Sequence, residues 1–316
     1  MSMQPALTPT LTPTLTPTGI EATAKREGGH TPRRRATRAP RSRRPRPGWA
    51  MMIVLALCAI SVIVPLYVTI SMAFKTPAQA VDGNAFSVPA PFSVEGFVTA
   101  WTLTNFPAAF SVSVLITAGT VVGTVLLGAL ASFAISRNWE HKLFRYSFFY
   151  LLAAMFIPFP VVALPQIQLT GLVGLDNPLG VTILHIMFQL SFSILLFTAF
   201  LRSIPKELEE SARIDGASTW QTFWQLIFPL LAPMSATVGI FAFLISWNDY
   251  MMPSLITSNS ALQTLPVVQY IFQTQFSNNY NVSFASYLMA MAPAIIVFLF
   301  TQRWVMESVT QSAVKG

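Results

Sequence analysis

Charge is what this sequence has least of. Of its 316 residues, 19 are Lys or Arg and 12 are Asp or Glu, 10% in all. A water-facing domain carries roughly a quarter, so most of this chain is not built for an aqueous surface. Cysteine is almost missing. Cys58 stands alone, which excludes an intrachain disulfide framework and a cysteine-rich zinc site. The histidines His30, His141 and His185 lie too far apart for metal-ligand spacing. None of the five lysines sits in Gly-Lys-Ser or Gly-Lys-Thr, so the chain has no P-loop with which to hold ATP. Acids are missing from the apolar runs as well. Asp176 and Asp249 are the only ones in that region, both at its margin, with no histidine paired to them. An integral membrane enzyme would need a convergent nucleophile, acid–base pair or metal cluster there. An ion-coupled secondary transporter would favour buried acids and inverted repeats. Both stand as alternatives that the residues disfavour.

What is present begins with apolar residues, 53% of the chain. The net charge of +7 belongs to one tail. Residues 1–49 hold ten Lys/Arg against Glu21 and Glu27, and the remaining 267 residues come to −1. The tail repeats Leu-Thr-Pro-Thr three times over Leu7–Thr18, then turns rich in Arg and Pro. Nothing in it could bury a core, so residues 1–48 read as a disordered segment. No aromatics interleave its arginines, which disfavours nucleic acid as a partner. A polybasic stretch directly before a membrane span instead holds the cytoplasmic side or touches anionic lipid.

Crossing ~30 Å of hydrocarbon takes ~20 residues. Uncharged runs of that length occur at Ala50–Phe74, Phe110–Ile135, Tyr146–Leu175, Asn177–Leu201, Gly216–Asn248 and Tyr250–Gln302. The last is too long for one helix, and its polar middle, Thr257–Asn281, reads as a loop. Six spans are expected, near residues 50–74, 110–135, 147–166, 181–201, 227–246 and 283–302: an all-α, polytopic membrane protein. Eighteen Lys/Arg fall in the tail, the 136–146 and 202–226 loops and the C-terminus, and one, Lys75, on the other side. That asymmetry places both termini in the cytoplasm. The 25-residue first run exceeds the 7–15 of a signal peptide and reads as an uncleaved anchor. Pro65, Pro158, Pro160, Pro165 and Pro293 interrupt the spans, and lipid tolerates such breaks only where neighbours or water satisfy the freed carbonyls.

The segment 202–228 carries the most information. Ser203 and Pro205 suit a helix start, with Glu207, Glu209 and Glu210 in the first turns, where the dipole favours anions. Glu209 and Arg213, four apart, can pair across one turn. Gly216 supplies the left-handed residue that ends a helix. Ser218 and Gln221 form a capping-box pattern that starts another. Trp220, Phe223, Trp224 and Ile227 then follow as an apolar stripe. The segment is a helix–Gly–helix elbow, charged on one arm and aromatic on the other.

Glu210-Ser-Ala-Arg-Ile-Asp-Gly216-Ala-Ser, with Phe223, Ile227 and Pro229-Leu-Leu-Ala-Pro233, resembles the Glu-Ala-Ala loop of binding-protein-dependent ABC transporter permeases. The likeness is to the carbohydrate branch, as in the smaller membrane subunit of the maltose transporter. Ser71–Pro77, Ala131–Arg137, Thr170–Leu175, Trp247-Asn-Asp-Tyr250 with Pro253, and the ending Ala313-Val-Lys-Gly316 agree, so the resemblance covers roughly residues 50–316. Ser211 replaces the family's middle alanine, and the terminal stretch from Glu307 lacks the usual glycines. The long tail is outside the family pattern.

The resemblance implies an ABC type I importer permease in a bacterial or archaeal plasma (inner) membrane, forming half of a pathway for a sugar or oligosaccharide. It implies that Glu210, Ser211, Ala212, Asp215 and Gly216 dock on a separate cytoplasmic ATPase, with Ala313, Val314, Lys315 and Gly316 as a second contact. The implied partners are a second homologous permease chain, two ATPase copies and an extracytoplasmic solute-binding protein. ATP and Mg would be used by the ATPase, with no cofactor on this chain. The organisation expected is the tail (1–48), the first span and its loop (49–109), a core (110–303) and a C-terminal tail (304–316). Gln166, His185 and Asn248 are candidates for the substrate pathway, since polar residues inside spans usually mark one.

Overall fold

The computed structural model describes residues 48–275 and 279–313. The Thr/Pro/Arg-rich tail, residues 276–278 and Val314, Lys315 and Gly316 lie outside the described residues. Trp49–Met52 begin helix α1 (Trp49–Ala73), and the described residues from Ile53 onward form one unit. Among the described residues there is no strand.

The body is organised by two helices, α4 (Phe106–Arg137) and α7 (Pro178–Leu201). They approach closely because glycines line one face of α4. A Cβ on Gly119 would stand 2.9 Å from the Thr182 methyl, one on Gly123 would strike Ile186, and one on Gly128 would lie 3.0 Å from Ser193 Cβ. Small residues along one face let membrane helices pack backbone to backbone. The same face carries Ser113, Thr117, Thr120 and Thr124, all buried, whereas Val114, Leu115, Val122 and Leu127 are exposed. Hydroxyls inside and aliphatic groups outside is the reverse of a water-soluble helix. Ser132 Oγ extends the seam by donating to the Ile194 carbonyl at 3.2 Å.

Helix α1 touches almost nothing in its own chain. Ile53 through Tyr67 are exposed, and burial begins only at Ser71, Met72 and Ala73. Two short helices follow, α2 (Pro77–Asp82), capped by Thr76 and Gln79, and α3 (Glu95–Leu103). Lys75, the one cation at this end, is 1% exposed, and its ammonium donates to the Asn84 carbonyl at 2.7 Å.

The third apolar run departs from expectation. It is two helices, α5 (Lys142–Ala154) and α6 (Phe159–Leu172), bent by 103°. Pro158 sits at the N-cap of α6 and Pro160 in its first turn, and neither can donate to a continuing ladder. The fifth run is bent by 74° between α9 (Thr219–Leu230) and α10 (Ala232–Asn248), after α8 (Glu207–Ile214). The polar segment expected as a loop, Thr257–Asn281, contains a 3₁₀ turn, Ser260–Leu262, and a helix, α12 (Leu265–Gln275), after the short α11 (Met251–Ile256). Leu265 and Val267 are buried, and the Leu265 N–H donates to Ser113 Oγ at 2.8 Å, so tertiary contact overrides the polar composition. The final helix, α13 (Tyr280–Ala313), runs beyond the expected end of its span at 302. Among the described residues, four helices are long and apolar enough to cross a membrane, or up to six if each bent pair is one span.

The seam makes a prediction. Gly128→Leu should destabilise the purified protein by about 1–3 kcal/mol, the usual result of overpacking, read as a lowered thermal midpoint in detergent. Gly239→Ala, whose new methyl would meet nothing closer than 3.6 Å, should leave that midpoint unchanged.

Candidate functional site

Two constellations stand out, one at each end of α10. The first is the elbow. Helix α8 ends in Gly216 at φ +85°; its N–H donates to the Arg213 carbonyl, and Ala217 N–H reaches back to Ala212. Those two bonds satisfy carbonyls at the helix end as a Schellman motif. Ser218 then starts α9 with the expected capping box: Gln221 N–H donates to Ser218 Oγ at 3.3 Å and Ser218 N–H to Gln221 Oε1 at 2.8 Å. A Cβ on Gly216 would meet nothing within 4 Å, so only its backbone conformation demands glycine.

Two local expectations are corrected. Ser203 does not start α8; its hydroxyl donates to the Phe200 carbonyl and closes α7. Glu209 does not pair with Arg213. Its carboxylate accepts from Arg137 Nε at 2.6 Å, 72 residues away, with the two side chains 7% and 13% exposed. A cross-helix partner outcompetes the one on the same helix because the interface removes both groups from water.

The aromatic arm divides. Trp220 is 62% exposed, whereas Phe223 and Ile227 are buried with Leu231, Phe133, Phe197 and Leu201 in one cluster. From Thr222 to Ile227 the backbone is π-helical. Glu210, Ser211, Asp215 and Gly216 are exposed, Ala212 is half-buried, and Ile214 is 86% exposed. The elbow thus presents an apolar knob between two acids, while its second arm is rooted in the core. Ile214 escapes sequence reading because an isoleucine in an amphipathic helix looks like a core residue.

The second constellation lies at the other end of α10. His185 on α7 is 2% exposed. Its Nε2 lies 2.8 Å from Asp249 Oδ2, and its Nδ1 3.0 Å from Ser246 Oγ. Asp249 is therefore not without a histidine. The pair is 64 residues apart, beyond the reach of any spacing rule. The other Asp249 oxygen accepts from the N–H groups of Met251 and Met252, starting α11. The order Asp–His–Ser has the connectivity of a hydrolytic relay, but Ser246 is 5% exposed and its hydroxyl faces Thr117 and Thr120. With the Ser246 hydroxyl enclosed in this way, the cluster is a clamp joining α4, α7 and α10.

His185 and Asp249 also line a cavity of about 240 Å³ with Gln189, Phe159 and Phe188. A neighbouring cavity of about 390 Å³ shares Phe188 and is lined by Gln166, Tyr150 and Ser191. Gln189 Nε2 and Gln166 Oε1 are buried without a hydrogen-bond partner. Such groups cost roughly 1–3 kcal/mol each unless something in the cavity bonds to them. Gln189 was legible as the residue one turn after His185. Asn248 lines neither cavity; its amide donates to the Leu244 carbonyl. Trp247 is 5% exposed and donates to the Ala290 carbonyl, so it belongs to the core and not to a membrane-interface belt. Ala313 is the last described residue of the C-terminal candidates.

The described residues form a helical protein with several apolar helices long enough to cross a membrane. Residues 124–311 match the family described as binding-protein-dependent transport system inner membrane component, and the chain belongs to it. It is 32% identical over 266 residues to the multiple sugar-binding transport system permease protein MsmG of Streptococcus mutans, covering 83% of this chain and 95% of that one. It is 30% identical to the melibiose/raffinose/stachyose import permease protein MelC of Bacillus subtilis, with coverage of 84% and 95%. Among solved structures, a chain of a bacterial ABC transporter that imports the acidic polysaccharide alginate shares the fold, with a TM-score of 0.67 and 22% identity over 80% of this chain and 94% of that chain. The expected family is thereby shown, and with it a non-enzymatic transport subunit.

Removing one partner of a buried ion pair leaves an uncompensated charge, at about 3–5 kcal/mol when fully buried. Glu209→Ala should therefore lower the thermal midpoint of the purified protein clearly, while Glu209→Met combined with Arg137→Met should recover most of it. An additive loss in the double variant would mean the two residues act independently.

Proposed function

We propose that this chain forms half of the translocation pathway of an ATP-driven ABC importer for a sugar or oligosaccharide. It crosses a bacterial or archaeal plasma membrane six times, each bent pair counting as one span, with both termini in the cytoplasm. Residues 49–109 supply the first span and an extracytoplasmic loop, 110–303 the permease core, and the segments 1–48 and 304–316 cytoplasmic tails. Its partners are a homologous permease chain, two cytoplasmic ATPase copies, an extracytoplasmic solute-binding protein and membrane lipid. ATP and Mg act on the ATPase; this chain holds no cofactor.

The elbow carries the reading. Glu210, Ser211, Asp215 and Gly216, with the half-buried Ala212, form a surface around Ile214, and Phe223 and Ile227 of the arm beyond them are buried in the core. An exposed surface carried between two arms that are fixed to the bundle is suited to receive a push from the ATPase and pass it inward. Ala313, Val314, Lys315 and Gly316 supply a second contact with the ATPase. Substrate passes Gln166 and His185, where unpartnered amides and the faces of Phe159 and Phe188 match the hydroxyls and C–H faces of a sugar; Asn248 stands one residue from Asp249. The sugar class is supported by the similarity to the sugar permeases MsmG and MelC.

Gly216 is the position to test, in proteoliposomes holding the complete transporter. Gly216→Val must strain the left-handed backbone by roughly 1–3 kcal/mol and should leave the protein inserted at near-normal level without binding-protein-stimulated, ATP-dependent uptake. Gly216→Asn tolerates that conformation and should retain most uptake. Normal uptake by the valine variant would reduce the elbow to a passive connector. Uptake that survives without ATP but collapses with an ionophore would favour the secondary-transporter reading.

A further inference from the structure

The space beneath the elbow has a chemistry that coupling does not use. A cavity of about 650 Å³ opens between the last turns of α4 and the elbow. Its floor is apolar, with Leu130, Phe133 and Phe223, and its mouth carries Arg137, Arg213 and Trp220. Arg137 is neutralised by Glu209. That pairing takes the carboxylate one turn before Arg213, which makes no ion pair among the described residues and is exposed at the mouth. The cavity therefore runs from an unpaired guanidinium to buried hydrocarbon.

Its level in the membrane decides what can enter. Arg137 is the last residue of α4. Close by in sequence, Trp139 is covered by the Arg202 guanidinium, 4.4 Å from its ring centre. Tryptophan and arginine at helix ends mark the headgroup zone, and cytoplasmic anionic lipid is attracted to cations there. A free phosphate would satisfy Arg213 but leave the apolar floor empty; a zwitterionic lipid would bring its own cation to an arginine.

We propose that this cavity binds one anionic phospholipid, its phosphodiester on Arg213 and the first part of an acyl chain against Leu130 and Phe133, and that the bound lipid braces the elbow against α4. The inference rests on the cytoplasmic placement of the elbow given above. Its readout is lipid binding and is independent of transport.

The test places the full-length chain, purified with its partner subunits, in nanodiscs containing either brominated phosphatidylglycerol or brominated phosphatidylcholine. Trp220 at the mouth reports an adjacent bromine as quenching, and its share is the difference from Trp220→Phe. Phosphatidylglycerol should be preferred about fivefold, the effect of one cation near an anionic surface. Arg213→Glu should abolish that preference and Arg213→Lys keep part of it. Equal quenching by the two lipids would overturn the proposal by showing ordinary annular contact. Loss of the phosphatidylglycerol signal on adding inorganic phosphate would overturn it in favour of a free-anion site. No quenching of Trp220 by either lipid would overturn it in favour of a protein partner covering the cavity.

Discussion

A polar group surrounded by hydrocarbon has to find its partner inside the protein, and the close seam of α4 and α7 is where this chain meets that constraint. The glycines of α4 bring the two backbones near enough for Ser132 to donate to the Ile194 carbonyl. The same approach sets the threonines of α4 beside Ser246, and through it His185. Were the helices held apart by ordinary side chains, the hydroxyls would face a gap or lipid. The exposed aliphatic surface follows from the same rule. With the polar groups turned inward, the outward face is free to be apolar, and α1 can stand exposed from Ile53 to Tyr67 without penalty in lipid.

At the elbow the constraint is conformational. The chain reverses between α8 and α9 within Asp215, Gly216 and Ala217, and only a left-handed residue closes the Schellman bonds in so short a space. The π-helical stretch after it turns Phe223 and Ile227 into the cluster formed by Phe133, Phe197 and Leu201. The buried Arg137–Glu209 pair then ties the first arm to α4. Both arms are fixed to the bundle, and what projects is the short surface around Ile214.

Much of this was legible before any coordinates, for a physical reason. Gly216, the Ser218–Gln221 capping box and the long apolar runs are local features, whose causes lie within a few residues. Partnerships between distant helices were not. Glu209 had an acceptable partner in Arg213 by helical spacing, and nothing in the sequence ranks Arg137 above it. Asp249 looked unpaired because His185 lies on another helix. The 103° turn between α5 and α6 lay halfway between. Pro158 and Pro160 announced a break, but proline alone does not say whether a helix kinks or turns back.

The two constellations are joined by one rigid element. Helix α10 has 17 residues, about 25 Å at 1.5 Å each. Near its start Leu231 and Val238 sit in the elbow's cluster, and near its end Ser246 and Asp249 hold His185. The 74° joint before it is the one place where α9 can turn without bending α10. Leu231, in that joint, is 0% exposed, so turning must either carry α10 along or open a gap in a close-packed core. Opening the gap forfeits several buried contacts at once, whereas a shift of α10 strains a few hydrogen bonds at its far end. The less costly response to a push on the elbow is therefore felt at the Asp249 end, beside the cavity that holds Gln189 and His185.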